Sequence, residues 1–320
     1  MAWTRESFLD ETVRYNIWMP MVKVTNWCDD NCDFCCECSG TNQPKITIPE
    51  KDVMEIADQF KVETGLSDII ITGGDPTSPY RWGDNKYFPT LCRGLLAKGM
   101  RINIKTNCNW TLCPKLSGRI YADLETFQPL DAGHWFFIFL SLDLHHKKST
   151  KTTIEFLRWY TTSEKVSQNF APFIFWGDKD QFVEVWMTLD RGHNIRIDFE
   201  KKDPLYPERT FLVNRNTGAE RFIFLKHSSE VDNIGRAKIN NLPSKPVKTL
   251  VEKIESLSFF STVDIQYDQN GIATLFSCGD YGITAPYKKA GKLKPLPELR
   301  TELLNKAFDK YEFLIQSQGK

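Results

Sequence analysis

Along the first two thirds of the chain, apolar residues follow two alternating periods. Runs dense in β-branched and aromatic residues read as six strands: MVKVTN from 21, DIIITGGDPTS from 68, RINIKTN from 101, HWFFIFLSLDLH from 134, FAPFIFWG from 170 and HNIRIDFE from 193. Between them the apolar positions recur at helical spacing. In TIPEKDVMEIADQFKVETG, Val53, Ile56, Ala57 and Phe60 share one face, Thr47 and Glu50 fit a capping box, and Pro49 sits in the first turn. YFPTLCRGLLAKG and TTIEFLRWY read as further helices. Strands separated by helices predict an α/β fold of parallel β/α units, with reactive groups at the C-terminal ends of the strands.

The pattern changes near residue 205. LYPERTFLVNRNTGAERFIFLKHSS and STVDIQYDQNGIATLFSC predict shorter extended segments, with a hairpin turn through DQNG and a helix around VKTLVEKIESLSFF. KPLPELRTELLNKAFDKYEFLI predicts a closing helix whose stripe is Leu299, Leu303, Leu304, Ala307, Phe308, Tyr311, Leu314 and Ile315; with no basic face beside it, the stripe is one for core or subunit packing. The organisation is therefore a lead-in at 1–20, a core at 21–205 and a smaller α+β extension at 206–320, with no internal repeat.

Composition narrows the class. Hydrophobic residues make up 41% and charged residues 26%, the balance of a globular, enzyme-sized protein. Lys+Arg and Asp+Glu each total 41, so there is no global signature for nucleic acid. No apolar run approaches the roughly 20 residues that span a bilayer, and no secretory segment opens the chain, so the expected compartment is the cytoplasm.

WCDDNCDFCCECSG, residues 27–40, holds five of the nine cysteines. Cys28, Cys32 and Cys35 are spaced C-x3-C-x2-C. Three thiolates at that spacing can hold three irons of a 4Fe–4S cubane and leave the fourth iron open to an external ligand; a zinc site and packed thiols are the other readings. Cys36 and Cys38 read as nearby thiols or packing.

At these residues the sequence resembles the radical S-adenosylmethionine (radical SAM) enzymes, in which an aromatic residue precedes the last cysteine, here Phe34. ITGGDPT at 71–77 resembles the family's strand-end GGE motif, with Asp75 in place of glutamate. The resemblance spans about residues 18–205 and implies a partial (β/α)6 TIM-like barrel, one 4Fe–4S cluster on Cys28, Cys32 and Cys35, and S-adenosyl-L-methionine chelated to the open iron. It implies that Gly73, Gly74 and Asp75 approach the cofactor, Asp75 orienting its ammonium group. Asn107, Ser141 and Asp143, at other strand ends, are further cofactor-pocket candidates, Asp143 also for substrate, with a turn or helix-capping role as the other reading of each. An external one-electron reductant is implied as partner.

HSSEVDNIGRAKI from 227 and GIATLFSCGDYG from 271 resemble the bridge and entry of the SPASM or twitch extensions, Gly235, Arg236 and Ala237 matching a segment of that bridge. Cys278 is the one cysteine after residue 113, too few for an auxiliary cluster, even with Cys92, Cys108 and Cys113 in the core. The extension is thus expected to be cluster-free, with Cys278 and Tyr281 as hydrogen-donor candidates or inert lining. Arg236 suits a carboxylate, a phosphate or a salt bridge, and Lys105, Arg196 and Asp198 flank strand ends.

The expected function is reductive cleavage of S-adenosylmethionine and hydrogen abstraction from a ribosomally made peptide, giving a cross-link or an epimer. Radical modification of a small sugar- or nucleotide-derived metabolite is the enzymatic alternative, and a noncatalytic iron–sulfur protein is the alternative of a different class.

Overall fold

The computed structural model describes residues 3–14, 18–32, 35, 38–129, 135–142, 146, 148–201, 203, 206, 209–227, 249–255, 263–275 and 281–318. After a leading helix α1 (Arg5–Arg14), five strands run parallel and side by side: β1 (Trp18–Thr25), β2 (Asp68–Gly73), β3 (Arg101–Lys105), β4 (Phe136–Leu142) and β5 (Phe170–Trp176). The crossovers are α2 (Glu50–Thr64), α3 (Tyr87–Ala97), α4 (Pro114–Leu124) and α5 (Ser149–Thr162). Parallel strands need such long returns, and the helices cover one sheet face.

That face is made by alternate strand positions. Val22, Val24, Ile69, Ile71, Ile102, Ile104, Phe136, Ile138, Leu140 and Ile174 join the buried cluster with Val53, Ile56, Leu91, Phe156 and Leu157 of the helices. On β4 the burial alternates strictly, so Phe137, Phe139 and Ser141 point to the opposite face.

Beyond β5 the expected sixth parallel strand is replaced. HNIRIDFE forms α6's end and the short β6 (Ile195–Asp198) after α6 (Lys179–His193), and β6 pairs antiparallel with β7 (Arg209–Asn214) at the sheet's edge. The parallel position beside β5 belongs to β8 (Glu220–His227). Two physical reasons are visible. Asp198 accepts hydrogen bonds from the backbone N–H groups of Glu200 and Lys201, which turns the chain back after four strand residues. β8 then sets Phe224 against Phe173, rings 5.5 Å apart and nearly parallel, a cross-strand aromatic pair that β6 has no residue to match.

The sheet also crosses residue 205 at its other end. β9 (Val263–Tyr267) lies parallel to β1, followed by β10 (Ile272–Leu275) and β11 (Thr284–Pro286), giving, among the described residues, eleven strands in the order β11-β10-β9-β1-β2-β3-β4-β5-β8-β7-β6. The result is an α/β fold with an open, mixed sheet rather than a run of six parallel units, and with extra C-terminal α+β structure. The DQNG turn forms as expected: Asp268 N–H donates to the Ile272 carbonyl at 3.0 Å and Gly271 takes a φ of 83°. α7 (Leu250–Glu255), a small hairpin of β12 (Lys288–Lys289) and β13 (Lys292–Leu293), and α8 (Leu296–Gln318) complete the region.

Leu299, Leu303, Leu304, Ala307, Phe308 and Tyr311 of α8 are buried, whereas Ile315 at the end of the stripe is exposed because the helix outruns its partners. The capping box at α2 does not form: Pro49 is the N-cap, and the Asp52 N–H bonds its carbonyl at 2.9 Å. Among the described residues no helix is long and apolar enough to cross a membrane.

Phe156 is fully buried between Trp110, Trp159, Tyr160 and Phe170 and so ties α5 to the sheet. Phe156→Ala is expected to cost about 3–5 kcal/mol of unfolding free energy, seen as a lower urea midpoint with an unchanged slope.

Candidate functional site

The C-terminal ends of β1, β2 and β3 bring three loops together. After β1 the chain enters the cysteine loop, whose base is pinched by a bridge between Trp27 and Gly40, with Cys28 N–H to the Gly40 carbonyl and Gly40 N–H to the Asn26 carbonyl, both 3.3 Å. Within it Cys35 N–H bonds the Cys32 carbonyl and Cys38 N–H bonds the Cys35 carbonyl, each at 3.2 Å. These turns keep the cysteines on a tight path. Cys38 reaches a φ of 50°, a left-handed conformation uncommon for a residue with a Cβ.

The GGD segment after β2 lies directly on that loop. Gly74 N–H donates to the Thr25 carbonyl at 2.7 Å and Asp75 N–H to the Trp27 carbonyl at 3.1 Å. A Cβ on Gly74 would stand 2.0 Å from the Trp27 oxygen, and one on Gly73 2.2 Å from the Thr25 oxygen; Gly73 also has a φ of 128°. The glycines are therefore required by the chain's own cysteine loop, because any side chain there would collide with backbone.

Asp75 is 2% exposed and hydrogen-bonded on all sides. One carboxylate oxygen accepts from Thr77 N–H (2.8 Å) and Thr77 Oγ1 (2.5 Å), the other from Thr106 Oγ1 (2.8 Å) and Asn107 N–H (3.1 Å). A carboxylate has about four acceptor positions, so these four donors occupy it. Burial, and secondarily the charge of Asp29, pushes its pKa above the ordinary carboxylate value, while the threonine hydrogen bonds pull it down. Asp75 thus ties the loop after β2 to the loop after β3.

Asn107, on that third loop, spends both amide hydrogens on the cysteine loop: Nδ2 lies 3.4 Å from Cys28 Sγ and 3.0 Å from Asp29 Oδ1. Asp29 is held in turn by Arg81 at 2.5 Å. Cys28 is 6% exposed, and its sulfur receives a second N–H, from Asp30, at 3.4 Å. Burial first, then Asp75, pushes the Cys28 thiol far above its usual pKa.

None of the seven described cysteines is in a disulfide. Among the described residues no three His, Cys, Asp or Glu side chains converge closely enough to hold a metal ion. The chemistry of the donor set nevertheless fits an iron–sulfur cluster: thiols spaced C-x3-C-x2-C, one of them receiving two N–H···S contacts in a buried setting.

The other candidates are dispersed. Ser141 lies on the open face of β4, in register with Phe175 of β5. Tyr281 is buried in the hydrophobic cluster, with Lys253 Nζ 5.3 Å from its ring centroid and its carbonyl bonded by Lys310. Lys105 is exposed at the end of β3, and Arg196 and Asp198 pair with each other at 3.2 Å on the edge strand. Cys92 and Cys108 are fully buried. Phe34, Cys36, Asp143, Gly235, Arg236, Ala237 and Cys278 lie outside the described residues. The residues not anticipated are Thr77, Thr106, Asp29 and Arg81. Their signals were the hydroxyl two places after Asp75 in DPT, the polar KTN end of β3, and a charged pair flanking the motifs.

Three loops at the C-terminal edge of parallel strands, one carrying spaced thiols, define the class as an α/β protein with a strand-end candidate site. Residues 22–159 match the family model of the Radical SAM superfamily. The match covers less than half of the chain, and the presence of this domain over those residues is consistent with enzymatic activity. No curated protein matches the chain. A solved structure titled as HydG, a maturase of the [FeFe]-hydrogenase, is similar with a TM-score of 0.40 and 9% identity, over 82% of this chain and 56% of that one.

Gly74→Ala is expected to abolish iron uptake and lower thermal stability by forcing the two loops apart. Gly118→Ala, in α4 with nothing within 4 Å of the added carbon, is expected to load normally and to gain a few tenths to about 1 kcal/mol from helix propensity. Iron analysis and a thermal melt of both variants check this.

Proposed function

We propose that the protein is a radical SAM enzyme that modifies a ribosomally made peptide by cross-linking or epimerisation. Cys28, Cys32 and Cys35 would hold one 4Fe–4S cluster, leaving one iron for S-adenosylmethionine. When bound, the cluster supplies the electron for reductive cleavage of that cofactor to a hydrogen-abstracting radical, and an external one-electron donor restores it.

The observation that carries this reading is the docking of the GGD loop onto the cysteine loop through Gly74 and Asp75, at the strand ends where the family match begins. Asp75 acts as a positioning residue, because its four acceptor positions are taken by Thr77, Thr106 and Asn107.

The substrate reading rests on the open face of the sheet. Phe139 and Phe173 stack across β4 and β5 with centroids 5.1 Å apart, Phe175 lies 5.0 Å from Phe173, and all three are half-buried. Lys226 Nζ stands 5.9 Å from the Phe175 ring centroid. A half-exposed phenylalanine floor at the strand ends suits apolar side chains of a peptide, which would exclude water from a reactive intermediate. Cys278 and Tyr281 remain hydrogen-donor candidates for an epimerisation.

Anaerobically reconstituted protein with S-adenosylmethionine and dithionite is expected to release 5′-deoxyadenosine, and Cys32→Ala to reduce it to background. Sustained release by that variant would refute the ligand assignment. Phe175→Ala is expected to raise the KM for the modified peptide, found by untargeted mass detection, while leaving substrate-independent 5′-deoxyadenosine release within about twofold.

A further inference from the structure

We propose that the Asn107 carboxamide is a dedicated hydrogen-bond donor to the Cys28 sulfur and raises the reduction potential of the cluster that this thiolate holds. The inference rests on the cluster assignment above and goes beyond it by giving a residue outside the cysteine motif control over the electron-transfer step.

The geometry leaves the side chain little choice. Asn107 Oδ1 accepts the Asn109 N–H at 2.9 Å, which sets which end of the amide is oxygen. Nδ2 therefore faces the cysteine loop, with one hydrogen for Asp29 Oδ1 at 3.0 Å and one for Cys28 Sγ at 3.4 Å. The backbone N–H of Asn107 is bonded to Asp75, and Asp29 is bonded to Arg81, so both ends of the residue are fixed. A carboxamide with both hydrogens engaged has none to offer S-adenosylmethionine.

The effect has a definite sign. Reduction adds one negative charge to the cluster and its thiolates. An N–H dipole aimed at a ligating sulfur stabilises that extra charge, more so in a buried site than in water, and therefore raises the potential. The Asp30 N–H makes the parallel contact from the backbone, which among side-chain substitutions only proline would remove. Asn107 is the adjustable member of the pair.

The test uses the full-length reconstituted protein without S-adenosylmethionine. Asn107→Leu keeps the side chain's size and removes both donors; its cluster is expected to show a more negative midpoint in an EPR-monitored redox titration, at native iron content. Affinity for S-adenosylmethionine is expected to stay within about twofold of native. An unchanged midpoint in a loaded Asn107→Leu protein, or weakened cofactor binding at an unchanged midpoint, would overturn the proposal while leaving the cluster assignment standing. A native protein that takes up no iron would overturn both.

Because Asn107→Leu can also lose the loop geometry, native protein carrying ¹⁵N in its asparagine side chains supplies a second measurement. Pulsed EPR of its reduced cluster is expected to show a ¹⁵N coupling absent from unlabelled protein. No coupling in a fully loaded sample would overturn the proposal without any variant.

Discussion

The backbone of the GGD segment touches the backbone of the cysteine loop, and the site's other contacts are arranged around that approach. Two carbonyls at the end of β1, those of Thr25 and Trp27, receive the N–H groups of Gly74 and Asp75. At positions 73 and 74 a Cβ would collide with those carbonyls, so both must be glycine. The approach places the Asp75 carboxylate at the centre of three loops, where its desolvation would cost several kcal/mol if unpaired. Four donors from two of those loops offset the cost, so a mobile loop here would leave a buried charge exposed to nothing. The same carboxylate that makes burial expensive therefore makes the three loops move as one body.

Much of this was legible in the chain, but unevenly. Strands β1 to β5 and the helices α2, α3 and α5 follow from apolar periodicity because each is buried on a clear face. β6 misled because a short apolar run carries no information about direction: IRID reads as strand in either sense, and the antiparallel pairing came from Asp198 turning the chain and from the phenylalanines of β8. The capping box misled for a similar reason. Thr47 and Glu50 have the right spacing, but Pro49 reaches the N-cap and supplies the carbonyl that the first turn uses.

The motif residues were legible as motifs and less so in their roles. Spacing pointed to Cys28, Cys32, Cys35, Gly73, Gly74 and Asp75. It could not reveal that Asp75 is saturated by Thr77 and Thr106, since hydroxyls in loops are common and their partners are set by the fold. Nor could it reveal that Gly73 and Gly74 make room for the protein's own backbone. Glycine in a sequence marks a need for space or for an unusual φ, and the structure decides which atom fills the space.

The charge balance around Cys28 follows from the same geometry. Burial first, then the charges of Asp75 and Asp29, push the pKa of the Cys28 thiol up. Arg81 is committed to Asp29 and offers Cys28 no cation of its own. A thiolate there needs positive charge from elsewhere, which is the condition an iron cluster meets when thiols lose protons on binding metal. The two N–H groups aimed at the sulfur supply the remaining, finer stabilisation, and they come from different loops: Asp30 from the cysteine loop itself, Asn107 from the loop that Asp75 holds in place. The scaffold that closes the site is thus also the scaffold that sets its electrostatics, and loosening either Asp75 or Gly74 would withdraw a donor from Cys28 as well as a wall from the pocket.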